Sequence, residues 1–242
     1  MENNHQDGIK LTTPVAIILA GALIMLGIII TKNPGKTSLN EPNPEANPEV
    51  ATIIDINPVS EKDHVRGDLR TAQAVFVEFS DTECPWCKVL HPILKKVIEE
   101  RAGKVAWVYR QAPIETLHEK SRNEARATEC VAQLKGNDAF WQYLDIIYER
   151  TPSNDGLDPG LLVAFAEEIG VDKNSFNKCM IDDQARLDKL IDESLTDARK
   201  AGLEGTPYSI IIAKDGTKIP VSGVARTGEE ERLNAIFDSI LK

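Results

Sequence analysis

The stretch that most constrains this chain runs from Val75 to Pro92 and reads VFVEFSDTECPWCKVLHP. An apolar run rich in Val and Phe stops at Ser80 and Asp81, and Cys84-Pro85-Trp86-Cys87 then opens an amphipathic pattern. That order predicts a strand, a short loop and a helix with a Cys-x-x-Cys pair in its first turn. Residues three apart are neighbours on one helix face, so the two sulfurs can bond without moving the backbone. Cys84 falls where helix N–H groups are unpaired and the helix dipole is positive, which favours thiolate over thiol. Cys84 is therefore the expected nucleophile and Cys87 the resolving thiol. Pro85 suits the first turn, where its missing N–H would have no intrahelical partner. Trp86 offers an exposed apolar plate between the sulfurs. Glu78 interrupts the strand on the face that carries Phe76, and its carboxyl reads as a proton carrier for Cys87 or as a charged residue at a strand end. Pro92, inside the helix, is expected to kink it.

The chain has 242 residues and a net charge of -10. It carries no basic footprint, so nucleic acid is not an expected partner. Thr13 to Ile30 is almost wholly apolar and ends at Lys32. A run of about 18 residues can cross a bilayer and exceeds the ~7–15-residue core of a secretory signal. We read residues 1–12 as a short tail and 13–30 as an uncleaved signal anchor, the alternative being a cleaved signal peptide. Lys10 before the run, with Lys32 and Lys36 after it, leaves the orientation ambiguous by charge. Residues 31–50, rich in Pro, Asn and Glu, read as a flexible linker, and residues 51–242 as one folded domain.

Within that domain, Thr52–Ile56 and Val75–Phe79 read as strands, Pro85 to about Arg101 as the helix of the cysteine pair, and Lys104–Tyr109 as a third strand. Two strongly apolar strands around a helix predict a parallel, buried pairing. From about 115 to 202 the period changes from two to about 3.6 residues. Four apolar faces follow: Ala127, Cys130, Val131 and Leu134; Phe140, Tyr143, Leu144 and Ile147; Leu161, Phe165 and Ile169 behind an Asp158-Pro159 cap; and Leu187, Leu190, Ile191 and Leu195. Tyr208–Ala213 and Lys218–Val221 flank a turn and read as a hairpin. Thr227 and Glu230 match a capping box before a last helix. Trp107, Trp141 and Tyr143 read as core, and Glu99, Glu100, Asp182 and Asp183 as a solvated acidic surface. The four histidines are too scattered for a metal site; His91 lies two turns along from Cys84 and reads as a border of the site or a solvated helix residue, while His64 and His118 suggest no constellation.

The string FVEFSDTECPWCKVLHP resembles the DsbA group of thiol:disulfide oxidoreductases in the thioredoxin superfamily, including its membrane-tethered BdbD-like forms. The resemblance implies an α/β thioredoxin-like fold with a helical insertion, preceded here by the transmembrane helix and linker. It implies a redox-active disulfide between Cys84 and Cys87 with Glu78 as the buried acid. It also implies a cis-proline at Pro207 which, with Thr206, Pro85 and Trp86, contacts substrate; without it, Thr206-Pro207 would be expected trans. Cys130 and Cys179 correspond to paired cysteines of some members and would form a structural disulfide, where the residues alone also allow two separate buried thiols. Zinc held by all four cysteines is disfavoured, and no metal or cofactor is expected. The implied activity is a membrane-anchored, extracytoplasmic oxidase that introduces disulfides into reduced or unfolded translocated proteins. Its partner would be a DsbB-like or vitamin-K-epoxide-reductase-like membrane protein that reoxidises it. A reductase or isomerase of the same fold, and a non-catalytic tethered binding or chaperone module, are the alternatives.

Overall fold

The computed structural model describes residues 54–241. The expected tail, membrane anchor and linker lie outside the described residues, as does the start of the first expected strand. Among the described residues no helix is long and apolar enough to cross a membrane.

Among the described residues, five strands form one sheet. They are β1 (His64–Arg66), β2 (Ala74–Ser80), β3 (Val105–Gln111), β4 (Tyr208–Ala213) and β5 (Lys218–Ser222), in the order β1-β3-β2-β4-β5. The Val- and Phe-rich β2 runs parallel to β3 and antiparallel to β4, with Glu78 paired to Tyr109 on one side and Ser209 on the other. A strand held on both edges and covered on both faces must be apolar on both, which is why β2 and β3 read as continuous runs rather than alternations. Pro220, with no N–H to give, sits on the edge strand β5.

Helix α1 (Pro85–Glu99) crosses from β2 to β3 and packs on one face of the sheet, together with the last helix, α7 (Glu229–Ile240). Leu90, Leu94 and Val97 of α1 and Leu233 and Phe237 of α7 close over Phe76, Trp107 and Ile211. Between β3 and β4 lies the insertion: α2 (Ser121–Lys135), α3 (Asn137–Arg150), α4 (Leu161–Glu168), α5 (Lys173–Asp182) and α6 (Gln184–Lys200). Ile191, Leu195 and Ala198 of α6 cover Val77, Phe79, Val108 and Ile210 on the opposite sheet face. The remaining helices enclose a second core of Val131, Tyr143, Ile147, Leu162, Phe165, Phe176 and Leu187. A disulfide between Cys130 of α2 and Cys179 of α5 lies in that core. The architecture is a thioredoxin-like α/β fold with a helical insertion.

Several local expectations are corrected. Ile54–Ile56 is extended chain without ladder pairing, and the edge strand is instead His64–Arg66. The insertion has five helices, not four, because Asp172 caps a separate α5, its carboxylate accepting the Ser175 N–H. Leu162, Phe165 and Ala166 form the buried face of α4, while Leu161, Leu134 and Leu190 are exposed. Asp158 accepts the Gly160 N–H one residue ahead of α4 and makes a turn rather than a cap. The capping box at Thr227 does not form. Gly228 holds that position at φ 73°, Glu230 reaches Lys96, and Glu229 accepts the Ala225 N–H from outside the helix.

Candidate active site

Cys84 occupies the N-cap of α1, and its N–H donates to the Asp81 carbonyl at 3.1 Å. Helix α1 begins here because Pro85 fills the first position without needing a partner. Thr206-Pro207, a cis peptide immediately ahead of β4, faces the pair, and Cys84 Sγ donates to the Thr206 carbonyl at 3.3 Å. Cys87 is fully buried and Cys84 is 5 % exposed, while Trp86 between them is 43 % exposed. Both active-site cysteines are free thiols. The Cys87 thiol donates to Cys84 and, with the Thr206 side chain and the backbone N–H groups of Cys87 and Trp86, lowers Cys84 to about 6 against the opposing effect of burial. Burial raises Cys87 well above the usual thiol range, and the charges of Cys84 and Glu78 raise it further. Two chemically identical side chains are thus driven apart by their surroundings.

Glu78 is fully buried beneath the pair. Ser80 Oγ donates to its Oε1 at 2.7 Å and Trp107 Nε1 to its Oε2 at 2.9 Å. Burial pushes Glu78 up to about 7 despite those two hydrogen bonds. A carboxyl that titrates there can give or take a proton at neutral pH.

The loop before Cys84 holds groups that sequence reasoning did not assign. Asp81 accepts the Glu83 N–H at 2.9 Å, the Ile114 N–H at 2.7 Å and His118 Nδ1 at 3.0 Å, tying the chain after β3 to the turn before Cys84. Glu83 is buried, and its carboxylate accepts the N–H groups of Gly156 and Leu157, both at 3.2 Å. Those groups belong to a turn in which Ser153, Asn154 and Asp155 all adopt positive φ, a conformation that side chains disfavour. Lys120 Nζ braces the turn at the carbonyls of Asp155 and Leu157, and Lys88 of α1 donates to the Thr151 carbonyl. Glu124 of α2 is buried beside Glu83; burial and that neighbour push it up to about 9.

The histidines also find partners. His91 is buried, not solvated: its Nε2 meets Asp145 Oδ1 at 2.7 Å, and its ring lies 4.5 Å from Tyr148 and 4.9 Å from Trp107. His64 contacts Glu129 at 2.9 Å in a partly buried pair and stacks on Phe140, while His118 and Asp81 form a buried one. Asp81 and Glu83 stand in the motif itself, and acids ahead of a helix N-terminus are readable as dipole partners. Tyr148 and Glu124 arrive from the insertion, and no local signal announces them.

Known proteins share this fold. The thioredoxin family model matches residues 59–225. The crystal structure of DsbA2 from Pseudomonas aeruginosa superposes with a TM-score of 0.61 at 29 % identity, covering 76 % of this chain and 97 % of that one. Oxidised BdbD from Bacillus subtilis superposes with a TM-score of 0.63 over 78 % of this chain and 97 % of that one, and at 19 % identity shows the common fold. Among curated proteins, Na(+)/H(+) antiporter NhaA 3 of Salinispora tropica is 28 % identical over 155 residues, 64 % of this chain but 22 % of that protein. The chain thus spans only about a fifth of that relative, most of which lies outside the match. With the paired cysteines, the buried acid and the cis-proline loop on one thioredoxin-like scaffold, the chain belongs to the thioredoxin family, as a DsbA-like member of it.

Proposed function

We propose that this protein is a membrane-anchored, extracytoplasmic thiol:disulfide oxidoreductase that oxidises substrate dithiols. The observation that carries the reading is the asymmetry of the pair: Cys84 is lowered to about 6 and Cys87 is held well above an ordinary thiol. A stabilised Cys84 thiolate is a good leaving group and favours the reduced enzyme, which makes the disulfide form oxidising.

The reaction starts from the Cys84–Cys87 disulfide. A substrate thiolate attacks Cys84 Sγ, a substrate–Cys84 bond forms, and the bond to Cys87 breaks. Cys87 departs with the electron pair and takes a proton, for which Glu78, at about 7, is the donor in reach of its field. A second substrate thiolate then attacks the substrate sulfur of the mixed disulfide and releases Cys84 as thiolate. The substrate loses two electrons and the cysteine pair gains them. Thr206, Pro207, Pro85 and the exposed Trp86 form the surface on which the substrate chain lies. Recycling needs an electron acceptor, and a DsbB-like or vitamin-K-epoxide-reductase-like membrane protein fits that need. The apolar run Thr13–Ile30 supports membrane attachment, and the oxidising chemistry supports a position outside the cytoplasm.

The test is the reduction potential of the pair in the full chain, equilibrated against glutathione. A value well above the thioredoxin range of about -270 mV is expected. A thioredoxin-like value would replace the oxidase with a reductase, and a pair that never equilibrates would leave a tethered binding module.

A further inference from the structure

Glu78 is the end of a chain of buried hydroxyls. Ser80 Oγ donates to Glu78, Tyr148 Oη lies 2.9 Å from Ser80 Oγ, and Tyr109 Oη lies 3.2 Å from Tyr148 Oη. Each hydroxyl has one proton to give. With the Ser80 proton on the carboxylate, the next bond requires Tyr148 as donor, and the one beyond it requires Tyr109. The chain therefore runs one way, from Tyr109 through Tyr148 and Ser80 to Glu78, whenever Glu78 is charged. All four side chains are buried, so water does not compete for these bonds, and aligned bonds in a low dielectric reinforce one another.

Protonation of Glu78 at Oε1 reverses the order. Ser80 must then accept, its proton turns to Tyr148, and the Tyr148 proton turns to the Asp81 carbonyl at 3.4 Å. That last bond is longer than the ones it replaces, and the same carbonyl already accepts the Cys84 N–H. The hydroxyl chain thus favours the charged carboxylate.

The titratable groups around Glu78 act the other way. Cys84 comes from the N-cap of α1 and Cys87 from its first turn, Asp81 from the loop before that helix, Tyr109 from β3 and Tyr148 from α3, and each adds negative charge when ionised. His91 of α1, whose ring lies against Tyr148 and Trp107, directs its Nε2 to Asp145 rather than to Glu78. Opposition to burial and to these charges falls to Trp107 and the hydroxyls.

We propose that Tyr148, acting through Ser80, is the positioning residue that sets how strongly Glu78 holds its proton, with Tyr109 reinforcing it from one bond further away. The inference deepens the reading of Glu78 as the proton donor to Cys87 and rests on it. The test titrates the protonated-carboxyl C=O band of Glu78 by infrared difference spectroscopy of the full chain, the band being identified by its disappearance in Glu78→Gln. Oxidation of a dithiol peptide is followed over the same pH range. Tyr148→Phe, which removes a neutral hydrogen bond one step from the carboxylate, should move the midpoint up by about half to one pH unit, and Tyr109→Phe by less in the same direction. A folded Tyr148→Phe chain with an unchanged or lower midpoint overturns the proposal. If Tyr148→Phe fails to fold, Tyr109→Phe is compared in the parent chain and in Ser80→Ala: an upward shift in the parent that is lost in Ser80→Ala supports the chain, and no shift in the parent, or an equal shift in both, overturns it. A midpoint that moves while the pH profile of peptide oxidation stays still would keep the hydroxyl chain and remove Glu78 from the reaction.

Discussion

Cys84 Sγ and the carbonyl oxygen of Thr206, 122 residues apart in the chain, meet at 3.3 Å. The thiol can donate to that carbonyl, but a thiolate cannot, so this bond favours the protonated sulfur. The Thr206 side chain acts in the opposite sense and lowers Cys84. One residue therefore holds both signs of influence over the nucleophile. Thr206→Val keeps the carbonyl and the branched shape and removes only the hydroxyl. It should raise the Cys84 titration from about 6 by about one pH unit, read from thiolate absorbance. An unshifted titration would assign the low value to Cys87 and the helix N–H groups alone.

The Cys130–Cys179 bond makes a different prediction, because its sulfurs lie in the core of the insertion and not in that of the sheet. The bond closes a loop with a sequence separation of 49. The chain-entropy account gives about 4 kcal/mol for such a loop. Replacing both cysteines by serine, which leaves no stray thiol to attack Cys84, should lower the urea midpoint accordingly. The reduction potential of Cys84–Cys87 should not move. A potential that shifted in a folded double variant would place Cys130 and Cys179 on the electron path.

What could be read from the sequence follows the range of the interactions. The strand of Val75–Phe79, the helix from Pro85 and the hairpin after Pro207 depend on neighbours in the chain, and each is present within a few residues of its expected bounds. Glu78 was legible because alternation put it on the Phe76 face. Its partners were not: Ser80 looked like the end of a strand, and Tyr148 reaches it across a separation of 68 residues. His91 carried an ambiguous signal for the same reason, since only α3 supplies the Asp145 that makes its burial tolerable. The capping box at Thr227 and Glu230 had the right letters, but Lys96 offered Glu230 an ion pair and Gly228 offered the backbone a cheaper turn.

The turn at residues 153–155 is a place where a less suitable residue is retained. Ser153 is buried at φ 65°, where a side chain costs roughly 1–2 kcal/mol that glycine avoids. Glycine also frees the unfolded chain, worth about 0.4–1 kcal/mol against it. The first effect is the larger, so Ser153→Gly should raise stability by up to about 1 kcal/mol, measured by urea denaturation. A loss of stability would mean that the seryl hydroxyl has a partner that outweighs the backbone.

Glu124 gives the clearest dependence on pH. Its ordinary value is 4.5, and in the folded chain burial and the carboxylate of Glu83 push it up to about 9. The folded state therefore binds this proton more tightly than the unfolded state. Its contribution to stability is complete below 4.5 and is lost progressively as pH rises toward 9. Glu78 contributes in the same direction over the narrower window from 4.5 to about 7, and Asp145, held low by His91 and Lys95 despite its burial, contributes in the opposite direction under acid conditions. Subtracting a variant isolates the one group. Glu124→Gln keeps the size and polarity of the protonated acid and cannot ionise, so its unfolding free energy from urea titration should fall less than that of the parent chain between pH 5 and pH 9, by a difference on the order of several kcal/mol. Parallel curves would show that Glu124 keeps its charge in the fold.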